Sequence, residues 1–382
     1  MSQPNIHFRP DGTWKLMQIS DVQDLRGIRP RTRALLCAAL DRERPDFVVL
    51  TGDQLTGNGR KLWFAGPQEK AARIRRTIRE LLALLEARGI PFTFMLGNHD
   101  HGTPMAGDEQ AACYMESPLC YARESPAGVP GYANHVVPVY AKDGGGVPAL
   151  LIYCQDSHTG MGMGYAPLDP AQVRWYRDTR DAWAEKNHGR PIPSLLFQHI
   201  PVEEIIGLYK EEPKRTKLTL EGYGNYKGKF FVLDEAAAAG FMGELPSSPD
   251  TNAGLFEAAR ERGEMLGMFF GHDHNNGFHG KVRGITLGYA PSAGYSAYGP
   301  GRRRGVRVFC FDERSPGAFQ TYVVTDEALL GDSGLPPGVR LMDLTPSSFG
   351  DAKNKLRRAA LPLLLALLGI VGAVVGVKAL LS

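Results

Sequence analysis

Apolar runs alternate with polar segments along most of this chain, which predicts strands alternating with helices. Five short, uninterrupted apolar runs have the length and composition of buried strands, and they cover residues 14–19, 47–50, 92–96, 195–197 and 268–270. Helical periodicity of the apolar positions predicts helices over residues 32–44, 69–87, 176–186 and 255–262. The chain therefore reads as an α/β protein.

The later part of the chain changes character. Strands are predicted over residues 135–140 and 149–153, and only short strands follow residue 274, over 280–287, 306–311 and 319–324. Parallel strands first and antiparallel hairpins late predict mixed sheets flanked by helices. The stretch 203–252 lacks a regular pattern and is expected near the mouth of a functional site.

A polar block follows each of the five apolar runs. The blocks are Asp21-Val22-Gln23, Gly52-Asp53, Gly97-Asn98-His99-Asp100, Gln198-His199 and Gly271-His272-Asp273-His274. Side chains just past the carboxyl ends of strands converge in one crevice of an open α/β sheet. The mixture of carboxylates, imidazoles and amides suits a pair of divalent metal ions, so we expect a dinuclear site at the strand carboxyl ends.

The charges of these candidate ligands indicate what the site would attract. Only Asp21 and Asp53 carry charge, whereas the other candidates are neutral amides and imidazoles: Gln23, Asn98, His199, His272 and His274. Two divalent cations with two carboxylates leave a centre of about +2. Such a centre favours a phosphate ester and lowers the pKa of bound water.

The ordered set of blocks resembles the calcineurin-like metallophosphoesterases over roughly residues 14 to 325. The pair G-N-H-D and G-H-D-H carries most of the resemblance. A closer likeness is to a bacterial branch that opens with the Gln-Ile-Ser-Asp-Val-Gln-Asp pattern of residues 18–24. Enzymes in the purple-acid-phosphatase neighbourhood share the late blocks.

The resemblance implies an α/β fold of the α+β type four-layer sandwich, with mixed central sheets flanked by helices. It also implies a role for each candidate residue. Asp21, Gln23 and His274 would bind the first metal, Asp53 would bridge both metals, and the second metal would take Asn98, His199 and His272. His99 would be catalytic, stabilising charge on the phosphate or protonating the leaving oxygen. Asp100 would orient His99 through a hydrogen bond.

Two positions depart from the family pattern. Gln23 offers an amide where the family usually has histidine, so it would bind the metal directly or through water. Thr56 stands where a purple acid phosphatase has its tyrosinate, which argues against iron charge-transfer chemistry. Manganese, iron and zinc all remain candidates.

Two further residues are candidates for substrate contact. His101 directly follows Asp100, and Arg302 follows a Gly/Tyr-rich turn. The chain has 382 residues and a formal net charge of only +3, so no nucleic-acid binding is expected. Its five cysteines form no C-x-x-C pair, which argues against a disulfide framework or a zinc–thiolate site.

The C-terminal end is strongly apolar. Residues 359–377 carry no charge and follow a basic cluster, which predicts a transmembrane helix with a cytoplasmic catalytic domain. Gly372 and Gly376 have G-x-x-x-G spacing and would offer a homodimer face. The predicted organisation is a catalytic domain over 1–328, a linker over 329–358 and a single-pass membrane anchor over 359–381.

Three functions fit these patterns. The leading hypothesis is hydrolysis of a phosphate mono- or diester by attack of a metal-bound hydroxide. A second is a metal-binding scaffold that kept the fold with weakened catalysis, which Gln23 favours. A third is a phosphoesterase acting on lipid or envelope intermediates.

Overall fold

The computed structural model describes residues 4–57, 65–158, 160–161, 164–216, 218–222, 224–331 and 334–344. The α-helices of these residues are α1 (Pro30–Glu43), α2 (Pro67–Glu86), α3 (Asn98–His101), α4 (Gly107–Met115), α5 (Pro170–Lys186), α6 (Leu255–Arg260), α7 (Asp326–Leu330) and α8 (Pro337–Asp343). The strands are β1 (Thr13–Ile19), β2 (Phe47–Thr51), β3 (Phe92–Met95), β4 (His135–Val139), β5 (Leu150–Gln155), β6 (Gly160–Met161), β7 (Gly164–Tyr165), β8 (Ser194–Gln198), β9 (Tyr209–Glu212), β10 (Leu220–Glu221), β11 (Phe230–Leu233), β12 (Ala238–Ala239), β13 (Met265–Phe270), β14 (His279–Val282), β15 (Ile285–Tyr289), β16 (Gly305–Asp312) and β17 (Phe319–Thr325).

Two mixed sheets form the centre of the fold. The first has the order β17-β16-β1-β2-β3, with β1, β2 and β3 parallel and the two late strands antiparallel. The second has the order β12-β14-β15-β13-β8-β5-β4, with a parallel centre of β15, β13, β8 and β5. Both parallel segments therefore present carboxyl ends at which side chains can gather.

Alternating side chains in each strand build separate apolar layers, because successive residues point to opposite faces of a sheet. In β1, Met17 packs with residues of α1 and α2 on the outer face, whereas Leu16 packs between the sheets. In β8, Leu196 packs towards α5 and α6, while Phe197 meets Phe269 and Phe309 between the sheets. The layers are thus helices, sheet, sheet and helices, and the predicted mixed α/β sandwich is confirmed.

One predicted strand is in fact a hairpin. Residues 280–287 contain the end of β14 and the start of β15, which pair antiparallel with Val282 opposite Ile285. Arg283 and Gly284 form the turn with φ of 48° and 98°. Positive φ at both central residues suits a tight hairpin turn. The pattern reading missed this turn because Arg at its first position is not a usual turn signal.

The stretch 203–252 also holds more structure than predicted. It contains β9, β10 and β11, which form a small antiparallel sheet, and the short strand β12. Its later part lies against the fifth polar block, since Glu244 accepts a hydrogen bond from Asn275 N and Asp273 accepts one from Ser247 N. The later part of this stretch therefore lies next to the candidate site, as expected.

The predicted linker begins as packed structure. Val339 of α8 is buried with Leu35 and Tyr295, and Asp343 pairs with the buried Arg304 at 2.6 Å. The domain boundaries at 328 and 358 stay predictions.

The predicted C-terminal membrane anchor requires correction. No helix within the described residues combines the length and apolar character needed to cross a bilayer. The predicted segment 359–381, together with Gly372 and Gly376, lies outside the described residues. The predictions of a transmembrane helix and of a single-pass membrane location are therefore wrong.

A buried histidine of β4 makes folding sensitive to acid. His135 is inside the protein, with Nδ1 donating to Ala133 O at 2.7 Å and Nε2 lying 2.6 Å from Thr93 Oγ1. Burial lowers the pKa of His135 from its ordinary 6.5 to about 4. Between these pH values the unfolded chain binds a proton that the folded protein does not, so stability rises with pH in this window.

We therefore expect the free energy of unfolding to be fully retained above pH 6.5 and to fall as the pH drops from 6.5 towards 4. His135→Gln removes the titrating group and should flatten this part of the curve. Urea unfolding of both proteins across pH 4 to 7.5 measures the difference. Parallel curves for the two proteins would contradict the assignment.

Candidate metal centre

The structure brings all seven sequence-predicted metal ligands into one contact network. Four come from the first sheet: Asp21 and Gln23 follow β1, Asp53 follows β2, and Asn98 begins α3 after β3. Three come from the second sheet, since His199 follows β8 and both His272 and His274 follow β13. The ligand atoms of Asp21, Asp53 and His199 lie within 4.8 Å of one another.

The backbone at this centre is strained where the ligands sit. Asp21, Gln23, Asp53 and His272 have φ of 53°, 48°, 51° and 73°. Residues other than glycine rarely adopt positive φ, and such conformations persist only where the surroundings enforce them. Strained backbone at four candidate ligands is typical of a functional site.

Two glycines allow the strands to approach closely enough for these ligands to meet. A Cβ on Gly97 would collide with Asp53, and one on Gly271 would collide with Ser20 and approach Asp21 Oδ2 to 2.8 Å. The glycines in the third and fifth blocks are therefore a steric requirement, because any side chain would push the carboxylates out of place.

Backbone carbonyls set the orientation of two histidines. His199 Nδ1 donates to Thr51 O at 2.9 Å, and His274 Nδ1 donates to Tyr298 O at 2.8 Å. Because Nδ1 of each ring donates to a carbonyl, Nε2 is the nitrogen that faces the centre, and it offers a lone pair once its own proton is lost. This is the arrangement by which metal-binding histidines are held.

Acceptor atoms converge around His199. Its Nε2 lies 3.1 Å from Asn98 Oδ1, 3.3 Å from His272 Nδ1 and 3.4 Å from Asp53 Oδ2. Lone pairs facing one another in a buried space repel unless a proton or a metal cation lies between them. This group of atoms forms the first acceptor cluster.

A second acceptor cluster lies beside it. His274 Nε2 is 3.2 Å from Asp21 Oδ1, and Gln23 Nε2 is 3.2 Å from His274 Nε2 and 2.9 Å from Asp53 Oδ2. Rotating the Gln23 amide by 180° exchanges its nitrogen for its oxygen and adds a further acceptor. Asp53 contacts both clusters, which is the position of a bridging ligand.

The buried carboxylate and imidazoles of this centre shift one another's pKa values. Burial opposes the charged form of His199, but the Asp53 carboxylate outweighs it and raises the pKa of His199 to about 10. Burial likewise opposes ionisation of Asp53, yet the imidazoles of His199 and His99 hold its pKa well below the usual range. Burial and the neighbouring His199 keep the pKa of His272 well below 6.5, so His272 is neutral.

The donor set fits divalent metal ions. Oδ1 of Asp21 and Nε2 of His272 are buried and have no hydrogen-bond partner among the described residues. Each cluster combines carboxylate, imidazole and amide groups without any thiolate, which suits manganese, iron or zinc. The residues present could therefore hold two cations that share Asp53.

His99 lies at the open side of the centre. Its backbone N donates to Asp53 Oδ1 at 2.7 Å, its Nε2 is 4.0 Å from Asp53 Oδ2, and its side chain is 32% exposed. The predicted hydrogen bond from Asp100 to His99 requires correction. Both Asp100 oxygens accept backbone N–H groups instead, from Gly97 and Leu55 at 2.9 Å each.

Asp100 acts on the backbone around the site. Its two bonds tie the turn after β3 to the segment after β2, so it fixes the start of α3. Burial, and then the nearby Asp53 carboxylate, raises the pKa of Asp100 to about 7. Asp100 lies beside the centre, but its carboxylate bonds to the backbone N–H groups of Gly97 and Leu55 and not to the His99 ring.

The two candidate substrate contacts have different surroundings. His101 ends α3 close to His99, and its Nε2 lies 3.1 Å from Asp156 Oδ1. Arg302 is held by Asp326 at 3.3 Å and by Gly331 O. These contacts give no support to the predicted role of Arg302 in binding substrate.

Sequence reasoning missed two side chains that contact the site. Tyr298 stacks on His274 with ring centroids 4.2 Å apart and donates from its hydroxyl to Glu244 at 3.3 Å. Asp156 holds His101. Asp156 directly follows β5, so the rule that found the other blocks would have found it too; Tyr298 lies in an irregular turn and gave no comparable signal.

Replacing the shared carboxylate should remove metal binding. We expect Asp53→Asn in the full chain to lower bound manganese from about two ions per chain to below one, because both clusters lose their common anionic ligand. Elemental analysis after dialysis against Mn²⁺ measures this. Asp178→Asn, an exposed aspartate on α5, is the control and should bind as the wild type does. Unchanged metal content in Asp53→Asn would contradict the assignment.

Metal binding should also release protons. His199 has a pKa of about 10 in the protein as described, so a cation must displace its proton near pH 7.5. Titration calorimetry with Mn²⁺ in two buffers of different ionisation enthalpy should show release of about one proton per chain. Equal heats in the two buffers would show that metal binding does not remove a proton from His199, and this would contradict the prediction.

Comparison with known proteins places this centre in a family. The family model for calcineurin-like phosphoesterases matches residues 15–276. The chain is 27% identical to the Arabidopsis thaliana protein named probable inactive purple acid phosphatase 14, over 79% of this chain and 76% of that protein. It is 25% identical to the Arabidopsis thaliana protein named probable inactive purple acid phosphatase 28, over 80% of this chain and 77% of that protein.

Among solved structures, the chain is similar to a dimetal phosphatase from Danio rerio, with a TM-score of 0.47 and 13% identity over 81% of this chain and 98% of that one. The bacterial branch suggested by residues 18–24 stays a prediction. The family match contains all five polar blocks and therefore every candidate ligand. On this match, the chain belongs to the calcineurin-like phosphoesterase family.

Proposed function

We propose that this protein hydrolyses a phosphate mono- or diester at a dinuclear metal centre. The observation that carries the proposal is the pair of buried acceptor clusters that share Asp53. Asp21, Gln23 and His274 would hold one cation together with Asp53. Asn98, His199 and His272 would hold the other, again with Asp53.

Two divalent cations would supply Lewis acidity towards the phosphate and activation of the attacking water. The chain's own residues have separate tasks. Asp53 keeps the two sites adjacent, and the carbonyls of Thr51 and Tyr298 aim His199 and His274. With two carboxylates against two cations, the centre keeps about +2 and favours an anionic ester.

His99 is the side chain placed to act on the substrate itself. Its imidazole is 32% exposed and lies 4.0 Å from the shared carboxylate, so an ester bound at the centre could reach it. A protonated ring there would stabilise charge on the phosphate or give a proton to the leaving oxygen. Its backbone bond to Asp53 keeps it next to both clusters.

A metal-binding scaffold with weakened catalysis is the second candidate. Two relatives are named probable inactive purple acid phosphatases, and Gln23 replaces the histidine expected at that ligand position. An amide is a weaker metal ligand than an imidazole, so one of the two sites could bind its metal poorly. Fewer than about one metal ion per purified chain would favour this scaffold over the enzyme.

The enzyme proposal predicts activity that depends on His99. The manganese-loaded full chain should hydrolyse p-nitrophenyl phosphate or its bis ester, and His99→Asn should lower kcat by about 100-fold or more through loss of proton transfer. Release of p-nitrophenol measures the rate. The control is His188→Asn, which changes an exposed histidine that follows α5.

Metal content of each variant must be measured alongside the rates. A wild-type protein that holds two metals and cleaves neither ester would contradict the enzyme proposal. Equal rates for the wild type and His99→Asn would instead remove His99 from the mechanism.

A further inference from the structure

A second polar pair adjoins the metal centre and joins the two sheets. His101 ends α3, which follows a strand of the first sheet, and Asp156 follows β5 of the second sheet. His101 Nε2 lies 3.1 Å from Asp156 Oδ1. The pair therefore spans the same seam between the sheets as the metal ligands do.

Asp156 is built to stay ionised. It is fully buried, and besides His101 it accepts His158 N at 2.9 Å on Oδ1 and Tyr132 N at 2.7 Å on Oδ2. Burial opposes its charge, but the hydrogen bond and charge of His101, together with Tyr132 N and His158, keep the pKa of Asp156 below its usual value. A carboxylate with three donors holds its orientation and attracts a positive partner.

The surrounding chain also fixes the position of Asp156. Its backbone N donates to Asn134 Oδ1 at 3.0 Å, and its carbonyl accepts from Gln172 Nε2 at 2.6 Å. A Cβ on Gly131 would come within 2.9 Å of the Asp156 side chain. His101 consequently rests on an anchored anion rather than on a mobile surface group.

The two ends of the pair differ in exposure. The Asp156 side chain is 0% exposed, whereas that of His101 is 13% exposed, so the imidazole is the end of the pair that solvent reaches. Burial opposes the charged form of His101, but Asp156 outweighs it and raises the pKa, with smaller contributions from Asp100 and Asp53. Among the described residues, His101 Nδ1 has no hydrogen-bond partner, so its N–H remains as a donor.

We propose that His101, held by Asp156, binds a terminal oxygen of the substrate phosphate and makes the enzyme selective for monoesters. This inference rests on the function proposed above. A phosphate monoester has three terminal oxygens and two negative charges near neutral pH, whereas a diester has two terminal oxygens and one charge. A fixed, charged donor beside the centre forms a strong hydrogen bond with the third terminal oxygen of a monoester. In a diester the same donor faces an uncharged ester oxygen, which it binds less well.

The selectivity is tested on the manganese-loaded full chain with p-nitrophenyl phosphate and bis(p-nitrophenyl) phosphate. His101→Gln keeps a donor towards Asp156 but loses the charge and the second N–H. We expect its kcat/KM for the monoester to fall about 10- to 100-fold, as for the loss of one hydrogen bond to a charged group, while the diester value changes less than about threefold.

Asp156→Asn should change the ratio of the two kcat/KM values in the same direction, because Asp156 is the positioning residue for His101. His188→Asn is the control, since it changes an exposed histidine that follows α5 and takes no part in holding Asp156. It should keep the wild-type ratio. An equal loss on both esters in His101→Gln would show that the pair only braces α3, and this would overturn the inference.

A binding measurement separates failure of this inference from failure of the proposed function. Inorganic phosphate, titrated into the manganese-loaded proteins, should bind His101→Gln about tenfold or more weakly than wild type, whether or not either ester is cleaved. Equal phosphate affinity in the two proteins, or no binding to either, would also overturn the inference. Weakened phosphate binding in an inactive wild type would support the site and reject the enzyme.

Discussion

Buried lone pairs that face one another are the constraint on which this structure depends. Around His199 and His274, imidazole nitrogens and carboxylate and amide oxygens lie 3.1 to 3.4 Å apart. Each buried acceptor without a donor costs on the order of 1–3 kcal/mol. The positive φ angles of four ligand residues add about 1–3 kcal/mol each. A rigid frame maintains this arrangement, and a proton or a metal cation between the facing atoms relieves it.

The rigid frame is the seam between the two sheets. Ligands from β1, β2 and β3 meet ligands from β8 and β13 because both sheets end their parallel strands at the same edge. The aromatic layer of Phe197, Phe269 and Phe309 holds the sheets face to face beneath that edge. Close packing means that a shift in this layer moves the ligands on one side relative to those on the other. His101 and Asp156 bridge the same seam beside the centre.

Much of the candidate site could be read from local pattern. A buried parallel strand ends in a short turn, so a polar residue directly after an apolar run marks the functional edge without knowledge of the fold. This rule singled out Asp21, Asp53 and His199, whose ligand atoms the fold brings within 4.8 Å of one another, and it also applies to Asp156, which was overlooked. It could not give the partner of Asp100, because a carboxylate in a one-turn helix can bond to a neighbouring ring or to the main chain. Only the fold places Leu55 N against it.

Other features were beyond local pattern for equally physical reasons. The 283–284 turn was read as continuous strand because Arg283 adopts a positive φ that its residue type does not announce. Arg302 follows a turn that resembles a binding loop, yet the packing of α7 places Asp326 beside its guanidinium. The apolar C-terminal run suggested a membrane helix on composition alone, whereas no helix within the described residues is long and apolar enough to cross a bilayer.

The amino-acid sequence by itself determined the order of the main strands and helices before the site blocks, the identity of the candidate ligands and the positive charge of a centre built from them. These follow from periodicity, block order and formal charge, all of which are local properties. The tertiary structure decided which atoms face one another: that Asp53 touches both clusters, that Thr51 and Tyr298 aim the imidazoles, and that His101 rests on Asp156. Those contacts join residues from different strands and sheets, and only packing of the two sheets brings them within bonding distance.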